Sequence, residues 1–140
     1  MPAYTAQQAI ITLVTNNWAH TPVVNSTTFD QIEIPEDGSA FAEITFPFAT
    51  EDRISFGTPG SNVFRETGAF IFSLRVPVSE SLAVWLPRLD TLRAALRGAS
   101  ALSGNLKIDE APPAIIDPLP ERQIYREISI AVPFEHDLFS

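Results

Sequence analysis

The sequence predicts an α+β fold, a mostly antiparallel sheet with two main helices packed on one face. Three observations predict it. Apolar residues recur at helical spacing in two segments. They alternate at strand spacing in three others. The segments run helix, strands, helix, strands, without an internal repeat.

The first helix opens near Ala6, with Thr5 and Gln8 placed as a capping box. Ile10, Val14 and Trp18 form its apolar stripe, with Leu13 beside them. Asn16 and Asn17 weaken its end, and Pro22 cannot continue it. Val23, Val24 and Phe29 read as short extended pieces docking on the core, and residues 35–38 as a turn.

Residues 40–48 alternate, with Ala42, Ile44, Phe46 and Phe48 expected on the buried face. Pro47 places the strand's end at an edge. Thr50, Glu51 and Asp52 look like a turn, followed by a short strand from Arg53 to Phe56. The longest alternation comes next. Gly68, Phe70, Phe72, Leu74 and Val76 share one face, while Arg65, Thr67, Ala69, Ile71, Ser73 and Arg75 share the other. This should be a central strand, antiparallel to 40–48 and ended by Pro77.

Ser79 or Ser81 caps the second helix. Leu82, Trp85, Leu86, Leu89, Leu92 and Leu96 keep helical spacing, and Gly98 stops it. Pro87 should kink this helix or move its regular start to about Pro87. Residues 106–109 read as a strand. Residues 110–120 hold four of the chain's twelve prolines and read as an extended excursion, ordered by Ile115, Ile116 and Leu119. Ile124, Ile128, Ile130, Val132 and Phe134 give the last strand, with Arg126 interrupting its apolar face.

The chain has 140 residues, taken as a single domain over 1–140, and a net charge of −8. The residues up to Gly68 hold two arginines, Arg53 and Arg65, against eight acids. Binding nucleic acid by phosphate neutralisation needs a basic face, and none is supplied. Cysteine is absent, which excludes disulfides and thiol chemistry. No apolar run reaches the roughly 20 residues of a membrane-spanning helix. The N-terminus lacks a signal-peptide pattern, so cytoplasmic synthesis is expected.

No reaction centre emerges. His20 and His136 each stand alone, without metal-ligand spacing, and His136 reads as part of a solvated tail. The pairs Glu36-Asp37, Glu51-Asp52 and Asp109-Glu110 read as solvated turns. The glycine-rich stretch 57–61 lacks a phosphate-loop lysine and leads into a strand. No catalytic, metal or cofactor site is expected. Phe64 and Phe139 fall outside the regular patterns, as partner-anchoring aromatics do.

Three blocks carry a resemblance. They are the N-terminal helix ending at Trp18 with Thr21-Pro22-Val23 after it, the run from Asn62 to Pro77, and the ending from Ile128 to Asp137. The middle block reads Arg65-x-x-Gly68, an alternating apolar strand and Val76-Pro77; the last contains Val132-Pro133-Phe134. In this order the chain resembles the tail terminator proteins of long-tailed bacteriophages and related gene transfer agents. Pro87 and the length of 110–120 depart from that pattern.

The resemblance implies a homohexameric ring in the virion, at the head-proximal end of the tail tube. It would stop tube polymerisation and meet the head-completion, or stopper, protein. DNA would pass through non-specifically, and acidity suits a lumen that a polyanion must slide through. The candidate contacts with neighbouring subunits or tube are Arg53, Thr58, Pro59, Ser61, Asn62, Phe64, Arg65 and Glu66, with Pro112, Pro113, Ile115 and Ile116. Arg53 and Arg65 are expected to pair with acids of a neighbour or, equally, of their own chain. On the first option Arg65→Glu impairs assembly and leaves the monomer folded. The competing readings are a head-completion, neck or tail-tube-like ring subunit, and a small-ligand-binding or hydrolytic domain with an aromatic pocket.

Overall fold

The computed structural model describes residues 3–25, 39–57, 62–116 and 125–139. Two helices, α1 (Tyr4–Asn17) and α2 (Leu82–Leu96), accompany seven strands. These are β1 (Val23–Asn25), β2 (Phe41–Arg53), β3 (Val63–Pro77), β4 (Ser100–Ala101), β5 (Leu106–Lys107), β6 (Ile115–Ile116) and β7 (Tyr125–Phe139). They form one sheet in the order β1-β2-β3-β7-β5-β4, with β6 also on β7. Every pairing is antiparallel except β1 with β2. The predicted α+β class and its mostly antiparallel sheet are therefore present.

One face of the sheet carries the core. Ala42, Ile44 and Phe46 of β2, Phe70, Phe72, Leu74 and Val76 of β3, and Ile128, Ile130, Val132 and Phe134 of β7 are buried. They pack with Ile10, Val14 and Trp18 from the first helix segment and Trp85, Leu89, Leu92 and Leu96 of α2. Each fully buried large side chain contributes about 1.5–3 kcal/mol. Trp18 meets Phe72 edge-on at 5.2 Å and its indole N–H donates to Thr21 at 2.8 Å. The opposite face holds a smaller cluster. Phe41 is buried there, edge-on to Tyr125, with the Arg75 guanidinium 5.8 Å from its ring.

Several expectations change. Thr5 does not cap α1: the N-cap is Ala3, with no side-chain cap of its own. Ser81 does cap α2, accepting from the Ala83 N–H at 3.2 Å. That helix stays regular through Pro87, because the carbonyl left without a donor belongs to Ala83, which is exposed to water. Gly98 ends it at φ +70°, a conformation glycine takes without a Cβ clash. β5 spans only Leu106 and Lys107; Ile108 leaves the strand but stays buried, its N–H donating to the Ala99 carbonyl.

The largest difference lies at Pro47. Thr45 pairs with Ile71 and Phe48 with Ala69, so Phe46 and Pro47 together oppose Phe70. This β-bulge absorbs the proline, which has no N–H for a ladder bond. The extra residue turns Phe48 away from the core face, and it is 58% exposed. β2 then continues through Glu51 and Asp52, which are strand residues and not a turn. β7 likewise runs on to Phe139, carrying His136 inside the sheet. The expected pieces Phe29, 35–38, Leu119 and Ile124 lie outside the described residues.

Candidate functional site

Beyond the Glu66–His136 row, which is still buried, the ends of β2, β3 and β7 build an arm. Among the described residues β1 pairs with β2 only as far as Ile44. None of the residues 47–57 is buried. The rows of the arm are Asp52–Arg65–Asp137 and, one step outward, Arg53–Phe64–Leu138. Val63 pairs with Phe139 and accepts the Ile54 N–H through its carbonyl at 2.9 Å.

The tip is apolar and open. Ile54 is 47% exposed, Phe56 85% and Phe139 60%. The Arg53 guanidinium lies 4.8 Å from the Phe56 ring centre and 5.8 Å from that of Phe64. Its Nε donates to the Ser55 carbonyl at 2.9 Å, and the Ser55 hydroxyl accepts the Val63 N–H at 2.7 Å. A cation over an aromatic face is worth about 0.5–1 kcal/mol where exposed. These contacts hold Arg53 and Phe56 together as one unit.

The arm's inner rows are fixed within the chain. Arg65 donates to both carboxylate oxygens of Asp137, at 2.8 and 3.1 Å, and Glu135 lies 3.8 Å away. This hydrogen-bonded pair raises the Arg65 pKa and holds the Asp137 carboxyl below the ordinary aspartate value. The intrachain option for Arg65 is therefore the one realised. Arg65→Glu breaks a pair inside the chain, so it does not report on assembly alone. Asn62 is buried and its side-chain amide donates to the Gly57 carbonyl at 3.3 Å. It is tied to Gly57 and offers little surface.

Glu66 is the clearest correction. It was expected at an interface, yet it is buried beneath the start of α1. Its carboxylate accepts the Ala3 N–H at 2.9 Å and binds His136 Nδ1 at 2.8 Å. A β3 side chain thus satisfies the backbone N–H of the N-cap residue itself, one of the donors left free at the start of α1. His136, expected in a solvated tail, is 3% exposed and faces Glu66 across the β3–β7 ladder. Both side chains of the pair are buried.

The second predicted region lies elsewhere. Ile115 and Ile116 form β6 against Ser129 and Ile128 of β7, with their side chains 60% and 44% exposed. Pro112 is half-buried and Pro113 exposed. Arg93 holds the segment by donating to the Ala111 carbonyl at 3.0 Å. Eight residues of β7 separate this patch from the Arg65–Asp137 row, about 26 Å at the strand rise. The structure therefore does not bring the two candidate regions together. Thr58, Pro59 and Ser61 lie outside the described residues.

Sequence reasoning missed Ile54 and Phe56, whose exposure depends on a strand continuing past Glu51-Asp52. It also missed a groove of about 500 Å³ along the outer side of α1, lined by Tyr4, Ala9, Thr12, Leu13, Ala101 and Leu102 among others. Among the described residues no cluster of three or more acids and histidines is placed to hold a metal ion. No described helix is long and apolar enough to cross a membrane. No protein-family model matches the chain, and no curated protein sequence matches it.

Proposed function

We propose that this chain is a structural virion subunit, a tail terminator that forms a hexameric ring at the head-proximal end of the tail tube. In this role it ends tube polymerisation and presents a surface to the head-completion protein. The observation that supports this is the arm. Its strands extend past the helix-covered core and end in exposed Ile54, Phe56 and Phe139. Large apolar side chains clustered in water mark a surface made to meet another protein. The motifs from Asn62 to Pro77 and from Ile128 to Asp137, which carry the resemblance, lie along β3 and β7, two of the three strands whose ends form the arm.

The function is association, not bond chemistry. A ring of identical subunits needs two different surfaces on each copy that fit each other and close. Deleting the gene tests the role: abnormally long tube polymers not joined to heads are expected. Tails of normal length attached to heads would overturn it. Electron microscopy of the purified protein, alone and with tube, tests the ring.

A further inference from the structure

Among the described residues, none covers the arm tip and none fills the α1 groove. All fourteen residues of α1 are uncharged, and none of the residues lining the groove is acidic or basic. In a chain of net charge −8, this is a face on which two copies can approach without repulsion. The groove's far wall is Leu102, 39% exposed, in the turn Leu102–Gly104. Leu102 and Ser103 hold left-handed backbone, at φ 53° and 58°. That conformation costs an L-residue about 1–2 kcal/mol. It leaves Leu102 part-exposed, with its side chain completing the groove wall.

We infer that the arm tip of one copy seats in the α1 groove of the next, with Phe56 beside Ala9, Leu13 and Leu102 and Arg53 at the carbonyl end of α1. The charges agree with this direction. The groove runs along α1 to Asn16, one residue from the helix end. That end carries partial negative charge, and the last turn of α1 holds no basic residue. Arg53 lies 4.8 Å from the Phe56 ring centre. The step from Leu13 to Asn16 is about 4.5 Å along a helix. With the Phe56 ring beside Leu13, the Arg53 guanidinium is within reach of the last turn. The contact is head-to-tail, so each copy keeps a free tip and a free groove until the assembly closes. It rests on the reading that copies of this chain associate.

The absence of cysteine makes the test direct. Two variants, Gly57→Cys, which keeps the Phe56 ring and adds a thiol beside it, and Thr12→Cys, are purified separately, mixed and mildly oxidised. A disulfide-linked heterodimer is expected from the mixture. Gly57→Cys mixed with Thr91→Cys, an exposed position on α2, should give none. A mixture no better crosslinked than that control would overturn the inference, as would Gly57→Cys linking mainly to itself. A second test uses Phe56→Ser and Ala9→Glu, each of which removes one half of the contact. Neither should associate alone, and their mixture should stop at one-to-one pairs. Rings of wild-type protein without the crosslink would refute this contact and leave the ring reading standing. The crosslink with normal tails after gene deletion would do the reverse.

Discussion

Gly68 sits beside the bulge, paired with Ala49 on one side and Phe134 on the other. A Cβ added there would lie 2.6 Å from the Phe48 carbonyl oxygen and 3.1 Å from both Cα and Cβ of Ala49. An ordinary C···O approach is about 3.3 Å, so Gly68→Ala must open the β2–β3 ladder by about 0.7 Å. The obstacle is backbone, which no rotamer change relieves. Overpacking of this kind costs about 1–3 kcal/mol. Losing the glycine's freedom in the unfolded chain offsets about 0.4–1 kcal/mol. The net expectation is a loss of about 1–2 kcal/mol, or a fall in Tm of about 3–8 °C for a chain of this length. Urea unfolding followed by circular dichroism reads it, as a lower midpoint with unchanged slope. Strand propensity alone predicts the opposite sign, because glycine inside a strand is a weak point. A Gly68→Ala protein as stable as the wild type, or more so, would refute the close approach and the bulge geometry that produces it.

Other outcomes follow from the same contacts. Glu66→Ala leaves the Ala3 N–H and His136 without their partner and should cost about 3 kcal/mol, with amide exchange in the first turn of α1 accelerated more than in α2. Ser81→Ala removes the α2 cap and should cost about 1 kcal/mol in urea unfolding. Asp137 is held below the ordinary aspartate value by Arg65, so its contribution to stability is complete above about pH 4 and is lost as pH falls through the lowered value. In Arg65→Met the Asp137 carboxyl should titrate nearer the ordinary value, read by carboxyl carbon chemical shifts; an unmoved titration would contradict the pairing. Phe56→Ser changes an 85% exposed side chain and should leave the unfolding midpoint within about 0.5 kcal/mol of wild type.

Much of the core was legible because its signal is periodic. Phe70, Phe72, Leu74 and Val76 alternate, and only one register buries all four. Ser81 followed by Leu82, Trp85, Leu89, Leu92 and Leu96 announces a capped helix for the same kind of reason. The arm was less legible. Glu51 and Asp52 have the composition of a turn, yet neighbouring β3 supplies ladder partners that keep them in a strand. Phe48 follows the alternation in the sequence and leaves the core face only because a bulge adds one residue. Glu66 and His136 lie seventy residues apart in the chain, so no local pattern links them.

The sequence by itself determined the class of fold, the buried faces of two helices and three strands, and the lack of cysteine and of a basic face. These follow from spacing and composition, which are local properties. Tertiary structure alone decided which charged residues face water. It buried Glu66 under α1 and tied Arg65 to Asp137. It also left Ile54, Phe56 and Phe139 uncovered at the tip and opened a groove beside Leu102. Those outcomes depend on which segments meet, and that is set by ladder register and helix placement rather than by any run of neighbouring residues.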